Sequence, residues 1–302
     1  MTKHATRRMA CGATAPWRET TAAGVRLAYD DRGEGRPLVC LHAIGHGARD
    51  FEAFAGALVP AHRVIALDWP GHGASGGDDV PPSAVRYAAV LEAFLERLAL
   101  GPAVLVGNSI GGAAAIRLAA ARPDLVAGLV LENPGGLDRL DALARRVIGL
   151  TAAFFAAGAR GARWFPAAFA AYYRMILQRA PAAAQRGRIV AAGREIAPLL
   201  RDAWTSFGLP DADLRDLAPT LAPPVLFAWA TRDQIVQLRR ALPTIRRVPQ
   251  ARLERFPAGH APHLETPDAF AAAVARFVAT LTNDGRGRDT RRSSPEWSGT
   301  RA

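Results

Sequence analysis

Three residue types that together perform acyl transfer stand far apart in this chain. Ser109 lies in Gly107-Asn108-Ser109-Ile110-Gly111, which fits Gly-x-Ser-x-Gly. The pattern is short and its residues are common, so a plain glycine-rich turn satisfies it too. Its context is more specific. The motif follows an apolar, strand-like run at 103–106 and opens a helix-like segment running from Gly111 to a stop at Pro123. A sharp strand-to-helix turn needs small neighbours, which Gly107, Gly111 and Gly112 provide. It also sets the hydroxyl at a helix amino terminus, where backbone N–H groups and the helix dipole favour a developing anion.

A serine hydroxyl attacks a carbonyl only when a base takes its proton. Of seven histidines, His260 lies in Pro257-Ala258-Gly259-His260-Ala261-Pro262, between the last predicted strand and the last helix. It is the candidate base; nearby His263 reads as a surface or loop-structuring residue. The imidazole needs an acceptor on its far nitrogen to fix its tautomer. Asp233, in Ala230-Thr231-Arg232-Asp233-Gln234 after a strand at 225–229, is the favoured one, with an Asx turn as its structural alternative. Glu132, closing a strand at 129–131, competes. The oxyanion of the intermediate needs two donors. The N–H of Ile110 is one, and that of Ile44, in the loop His42-Ala43-Ile44-Gly45, is the other. This set requires no metal and no organic cofactor.

The elements that must position these residues alternate. Strand-like runs occur at 25–29, 38–41, 64–67, 103–106, 129–131, 225–229 and 252–256. Helical spacing of apolar residues marks 50–58, 83–98, 111–121 and 267–281. Repeated strand–helix–strand units predict a mostly parallel sheet flanked by helices on both faces. Between about 137 and 216 the rhythm breaks into Ala- and Arg-rich helical segments. The expected organisation is a core of 20–136 and 217–282, a helical cap at 137–216 inserted after the sixth strand, and disordered tails at 1–19 and 283–302. Such an insertion sits near the carboxyl ends of the strands, where open α/β sheets bind ligands.

Composition narrows the function classes. Half of the 302 residues are hydrophobic and 22% are charged, as in a globular domain with a sizeable core. The net charge of +11 does not predict nucleic-acid binding. Lys3 is the only lysine and the arginines are scattered, many of them in the tails. Of the two cysteines, Cys40 reads as buried in a strand and Cys11 lies in a polar tail. Neither a disulfide nor a metal-ligand spacing is suggested, in keeping with a cytoplasmic protein. No secretory signal is evident, and the longest apolar run, near 147–159, is shorter than the roughly 20 residues that span a bilayer.

With the motifs in view, the chain resembles the α/β-hydrolase family over about residues 22–282. The resemblance rests on Leu41-His42-Ala43-Ile44-Gly45, on Asp68-Trp69-Pro70-Gly71-His72-Gly73-Ala74-Ser75, on Gly107 to Gly112, and on Gly259-His260-Ala261-Pro262-His263-Leu264-Glu265. It implies the chain order Ser, Asp, His and a structural role for the loop holding His72. The chain departs from the family pattern where Ala43 replaces a frequent glycine. It also lacks the Trp that often follows the histidine in carbon–carbon bond hydrolases of ring-cleavage pathways, although Asn108 resembles those enzymes. Ser109 stands where haloalkane dehalogenases and epoxide hydrolases carry an Asp nucleophile.

The expected function is hydrolysis of a small to medium apolar carboxylic ester. Carbon–carbon bond hydrolysis, cofactor-free perhydrolysis and a slow-turnover ligand receptor are the alternatives. Phe154, Phe155, Trp164, Phe165, Phe169, Tyr172 and Tyr173 are expected to pack the cap, and any that face the site would favour an acyl or aryl substrate.

Overall fold

The structure is a computed structural model that describes residues 17–59 and 61–283. Cys11 and most of both expected tails lie outside the described residues. Eight strands form one sheet: β1 (Arg18–Ala22), β2 (Val25–Arg32), β3 (Pro37–Leu41), β4 (Arg63–Leu67), β5 (Ala103–Asn108), β6 (Val126–Glu132), β7 (Val225–Ala230) and β8 (Ala251–Phe256). Their order is β1-β2-β4-β3-β5-β6-β7-β8. β1 and β2 are antiparallel to each other, and β2 to β4; the other pairs are parallel. β1 corrects the expected amino-terminal tail, because Arg18 and Glu19 already pair with Tyr29 and Ala28. Its alternation is too short and polar to read as a strand without its partner.

The central strands are apolar throughout because both faces are covered. Val39, Leu41, Ile65, Leu67, Leu105, Phe227 and Trp229 point into one core. Leu38, Cys40, Val64, Ala66, Val104, Val106, Leu226 and Ala228 point into the other. Helices α1 (Glu52–Leu58) and α10 (Pro267–Asn283) cover the second face; α2 (Ala84–Arg97) and α3 (Ile110–Ala121) cover the first. Ser83 caps α2 by accepting the Arg86 N–H at 3.0 Å, which sets its start.

Between β6 and β7 the chain forms α4 (Ala142–Ala159), α5 (Phe165–Ile176), α6 (Ala183–Ala191) and α7 (Gly193–Ser206). The insertion closes where its two ends meet, the Leu214 N–H donating to the Gly136 carbonyl at 2.8 Å. Counting β1, it follows the sixth strand. α8 (Leu238–Ile245) and the short α9 (Pro262–Glu265) complete the chain. One expectation changes here. α4 has 18 residues, more than the apolar run 147–159, and by length and composition it is long and apolar enough to cross a bilayer. Only Phe155 and Gly158 of α4 are buried.

Candidate active site

Ser109 sits between β5 and α3 with φ 54° and ψ −116°, a conformation that costs a non-glycine residue energy and persists only when its surroundings enforce it. They do. A side chain at Gly107 would come within 2.7 Å of the backbone of Gly111 and Gly112, and one at Gly111 within 2.4 Å of the Leu41 carbonyl. The turn is therefore wedged between α3 and the end of β3. The Ser109 N–H donates to the Glu132 carbonyl at 2.9 Å. Ile110 is the first residue of α3, where N–H groups have no partner within the helix.

His260 and Asp233 converge from the carboxyl ends of β8 and β7. His260 Nδ1 lies 2.6 Å from Asp233 Oδ2. Asn133 donates to the same oxygen at 2.6 Å, and the Ile235 and Val236 N–H groups donate to Oδ1 at 2.7 and 3.1 Å. Burial lowers the pKa of His260, but the charge and hydrogen bond of Asp233 outweigh it, so the net shift is upward. Asn133 itself is fixed by the Ala230 N–H donating to its Oδ1 at 2.8 Å.

Glu132 is engaged elsewhere. Its Oε2 accepts the His263 N–H at 3.0 Å and lies 2.8 Å from His263 Nδ1. This corrects the surface half of the reading of His263 and agrees with its loop-structuring half, since the bonds tie the segment after His260 to the end of β6. His263 is 1% exposed, with its ring stacked on Phe51 at 4.3 Å. Burial opposes its charge, yet the Glu132 carboxylate holds its pKa above the ordinary value.

The loop after β3 is held by two neutral histidines. His42 Nε2 accepts the Trp69 N–H at 3.0 Å, and His72 Nε2 accepts the Gly45 N–H at 2.9 Å. Burial lowers both pKa values, that of His72 to about 4. Asp68 fastens the neighbouring turn by accepting the Ala48 and Ala74 N–H groups at 2.7 and 2.9 Å. His72 is thus a positioning residue, as the resemblance implies. Ala43 is not among the described non-glycine residues with positive φ, so the backbone at this position does not require a glycine.

Ser109, Ile110, Ile44 and His260 all line one cavity of about 410 Å³ between the sheet and the insertion. Residues 38–273 match the sequence model of the Alpha/beta hydrolase family. The chain belongs to that family.

This alpha/beta hydrolase is similar to the pimeloyl-(acyl-carrier protein) methyl ester esterase of Xanthomonas campestris pv. campestris. The two are 32% identical over 260 residues, covering 82% of this chain and 97% of the esterase. It is 40% identical over 122 residues to a 2-hydroxy-6-oxononadienedioate/2-hydroxy-6-oxononatrienedioate hydrolase of Burkholderia vietnamiensis, covering 37% of this chain and 41% of that enzyme. Among solved structures, a thermophilic esterase from Thermogutta terrifontis superposes with a TM-score of 0.74 at 24% identity, covering 88% of this chain and 99% of that one. The protein is therefore a hydrolase, and the esterase superposition supports the fold.

Three further residues support the candidate site, and of these Glu265 alone stands within a quoted motif, with no role read from it there. Asn133 steadies Asp233 from a position 100 residues away. Glu265 is fully buried. Its Oε1 accepts the Gly259 and His260 N–H groups at 2.8 and 3.1 Å, while its Oε2 accepts those of Gln178 and Arg179 at 2.9 and 3.0 Å. One carboxylate thus ties the His260 loop to the insertion. His46 also lines the cavity, with its Nδ1 at 2.5 Å from the buried Asp50. Of the aromatic residues expected in the cap, Tyr172 and Tyr173 reach the cavity. Burial raises both phenol pKa values, keeping them neutral. Phe155, Phe165 and Phe169 are buried in packing, and Trp164 is exposed.

Proposed function

We propose that this alpha/beta hydrolase cleaves a carboxylic ester of a small to medium apolar substrate through an acyl-enzyme on Ser109. His260 takes the Ser109 proton as the hydroxyl attacks the carbonyl carbon, then returns it to the leaving alkoxide. Asp233 holds the tautomer and stabilises the imidazolium. The N–H groups of Ile44 and Ile110 bind the oxyanion. Water, deprotonated by His260, then releases the acid and frees Ser109. The helical insertion acts as a lid. Ile148, Ile176, Leu200, Trp204, Tyr172 and Tyr173 line the side away from the sheet, which favours an apolar acyl or alkyl group. We place the reaction in the cytoplasm, in keeping with the free, buried thiol of Cys40.

The observation that carries this reading is the 2.6 Å Asp233–His260 pair opening into the same cavity as the strained Ser109. Carbon–carbon bond hydrolysis is a second reading, favoured by the 122-residue similarity to the Burkholderia vietnamiensis enzyme. Asn108 lends it no support, because its Nδ2 donates to the Glu132 and His260 carbonyls at 3.2 and 3.0 Å. That side chain holds the His260 loop and does not line the cavity.

Hydrolysis of p-nitrophenyl acetate and butyrate, with Ser109→Ala as control, tests the proposal. The substitution should lower kcat on the order of a thousandfold or more, and a fluorophosphonate should label Ser109 alone. Equal rates in both proteins, or a label elsewhere, overturn the assignment. Turnover of a ring-cleavage dienoate with no ester hydrolysis establishes the second reading, and ligand binding without turnover a receptor.

A further inference from the structure

The apolar face of α4 is unusually bare. Leu143, Val147 and Leu150 are 65%, 51% and 63% exposed. Their i, i+4, i+7 spacing puts them on one side of the helix. Phe154 continues the stripe and packs against Trp164, whose ring is 5.9 Å away and which is itself 54% exposed. The stripe begins at the cavity mouth, which Leu143 and Val147 line together with Val85, 43% exposed.

The charge that α4 itself carries has one sign. α4 contains no acidic residue. Arg139, Arg145 and Arg146 are exposed at its start, and Arg160 and Arg163 at its end. The acids nearest its start, Asp138 and Asp141, are both paired with Arg240. An apolar helix face, exposed arginines at both ends and a Trp beyond one end are what an interfacial helix presents to anionic lipid. A second copy fits less well. Antiparallel pairing through α4 sets the arginines at one helix start against those at the other helix end, and parallel pairing sets each cluster against itself, so like charges meet either way.

We propose that the outer face of α4 seats this protein on an anionic lipid surface with the cavity mouth against the bilayer, so that its substrate is a lipophilic ester taken from the lipid layer. The substrate clause rests on the esterase reading; the docking clause does not. Long apolar side chains enter the acyl boundary, arginines pair with phosphate headgroups, and the ester passes Leu143 and Val147 without crossing water.

Co-sedimentation with vesicles tests the docking. Wild type and Ser109→Ala should bind phosphatidylcholine vesicles containing about 30% phosphatidylglycerol, bind pure phosphatidylcholine far less, and dissociate as salt rises. Leu150→Ser should weaken partition roughly tenfold. Arg145→Glu with Arg146→Glu should remove the preference for anionic vesicles. Leu150, Arg145 and Arg146 do not line the cavity, so p-nitrophenyl acetate hydrolysis should be retained in these variants. The proposal is overturned if no vesicle is bound, if Leu150→Ser binds as wild type, if the face instead holds two copies together that Leu150→Ser separates, or if an acidic carrier protein is bound while vesicles are not. Vesicle binding without ester hydrolysis sinks the esterase reading and leaves the docking intact. Hydrolysis without vesicle binding does the reverse.

Discussion

At the scale of single residues, two buried carboxylates stand close to the candidate nucleophile and do different work. Asp233 receives His260, Asn133 and two backbone N–H groups. Among the described residues, the Glu132 carboxylate receives only His263, through ring and backbone, and its other oxygen has no hydrogen-bond partner. The proposed mechanism therefore separates two isosteric substitutions. Asp233→Asn should lower kcat on the order of a thousandfold or more with little change in stability, because the imidazole loses its charged partner. Glu132→Gln should keep kcat within a few-fold yet lower stability by about 3 kcal/mol, because the buried His263 ring loses the carboxylate bonded to its Nδ1 and keeps only Asp50, 4.0 Å from its Nε2, as an acidic partner. Steady-state kinetics and urea unfolding of the two variants check this. The opposite pattern would make Glu132 the partner of the base.

At the scale of elements, the turn 42–45 and the turn 68–75 act as one clamp. Each histidine in them accepts a backbone N–H from the other turn: Trp69 to His42, Gly45 to His72. The acceptor must be neutral, which links the clamp to pH. The folded pKa of His72, about 4, lies below its ordinary 6.5 because of burial. As pH falls, the unfolded chain takes up that proton first. Stability from this group is therefore present above about 6.5 and is lost between there and about 4, by about 3 kcal/mol. His260 and His263 have raised values and the opposite sign; their contributions are present below 6.5 and are lost as pH rises through the folded pKa. His72→Gln retains an acceptor and removes one titration. Its stability, followed by denaturant unfolding at a series of pH values, should decline less steeply than wild type between pH 6.5 and 4, with the difference due to His72 alone.

At the scale of the whole molecule, the site is a seam. The strand ends supply the candidate residues Ser109, Asp233 and His260, and the insertion supplies much of the apolar lining of the cavity. Glu265 bridges the two by bonding the His260 loop and the Gln178–Arg179 backbone at once. Chain-length preference should then be set by the insertion without touching the chemistry. Ile148 is half-buried on α4 and lines the cavity, so Ile148→Trp shortens the available space. Its kcat/KM for a p-nitrophenyl octanoate should fall roughly tenfold relative to the acetate. An equal loss on both esters would mean that α4 shapes the reaction centre rather than the acyl pocket.

The sequence by itself determined what depends on near neighbours. The glycines around Ser109 announce a turn that tolerates no side chains, the apolar runs announce strands covered on both faces, and the break in rhythm after residue 137 announces the helical insertion. All of these are periodicities and steric demands readable within a dozen residues. Only the tertiary structure decided which carboxylate meets which imidazole, because the pairs are separated by 27 residues in one case and 131 in the other, and a buried charge is satisfied by whatever folding brings beside it. The same holds for Asn133, for Glu265, and for β1, which is a strand only because β2 offers it an edge. It holds above all for α4, whose composition permits a core helix or an interfacial one. Packing left its Leu143, Val147 and Leu150 facing outward, and exposure is a property of neighbours in space that no stretch of sequence contains.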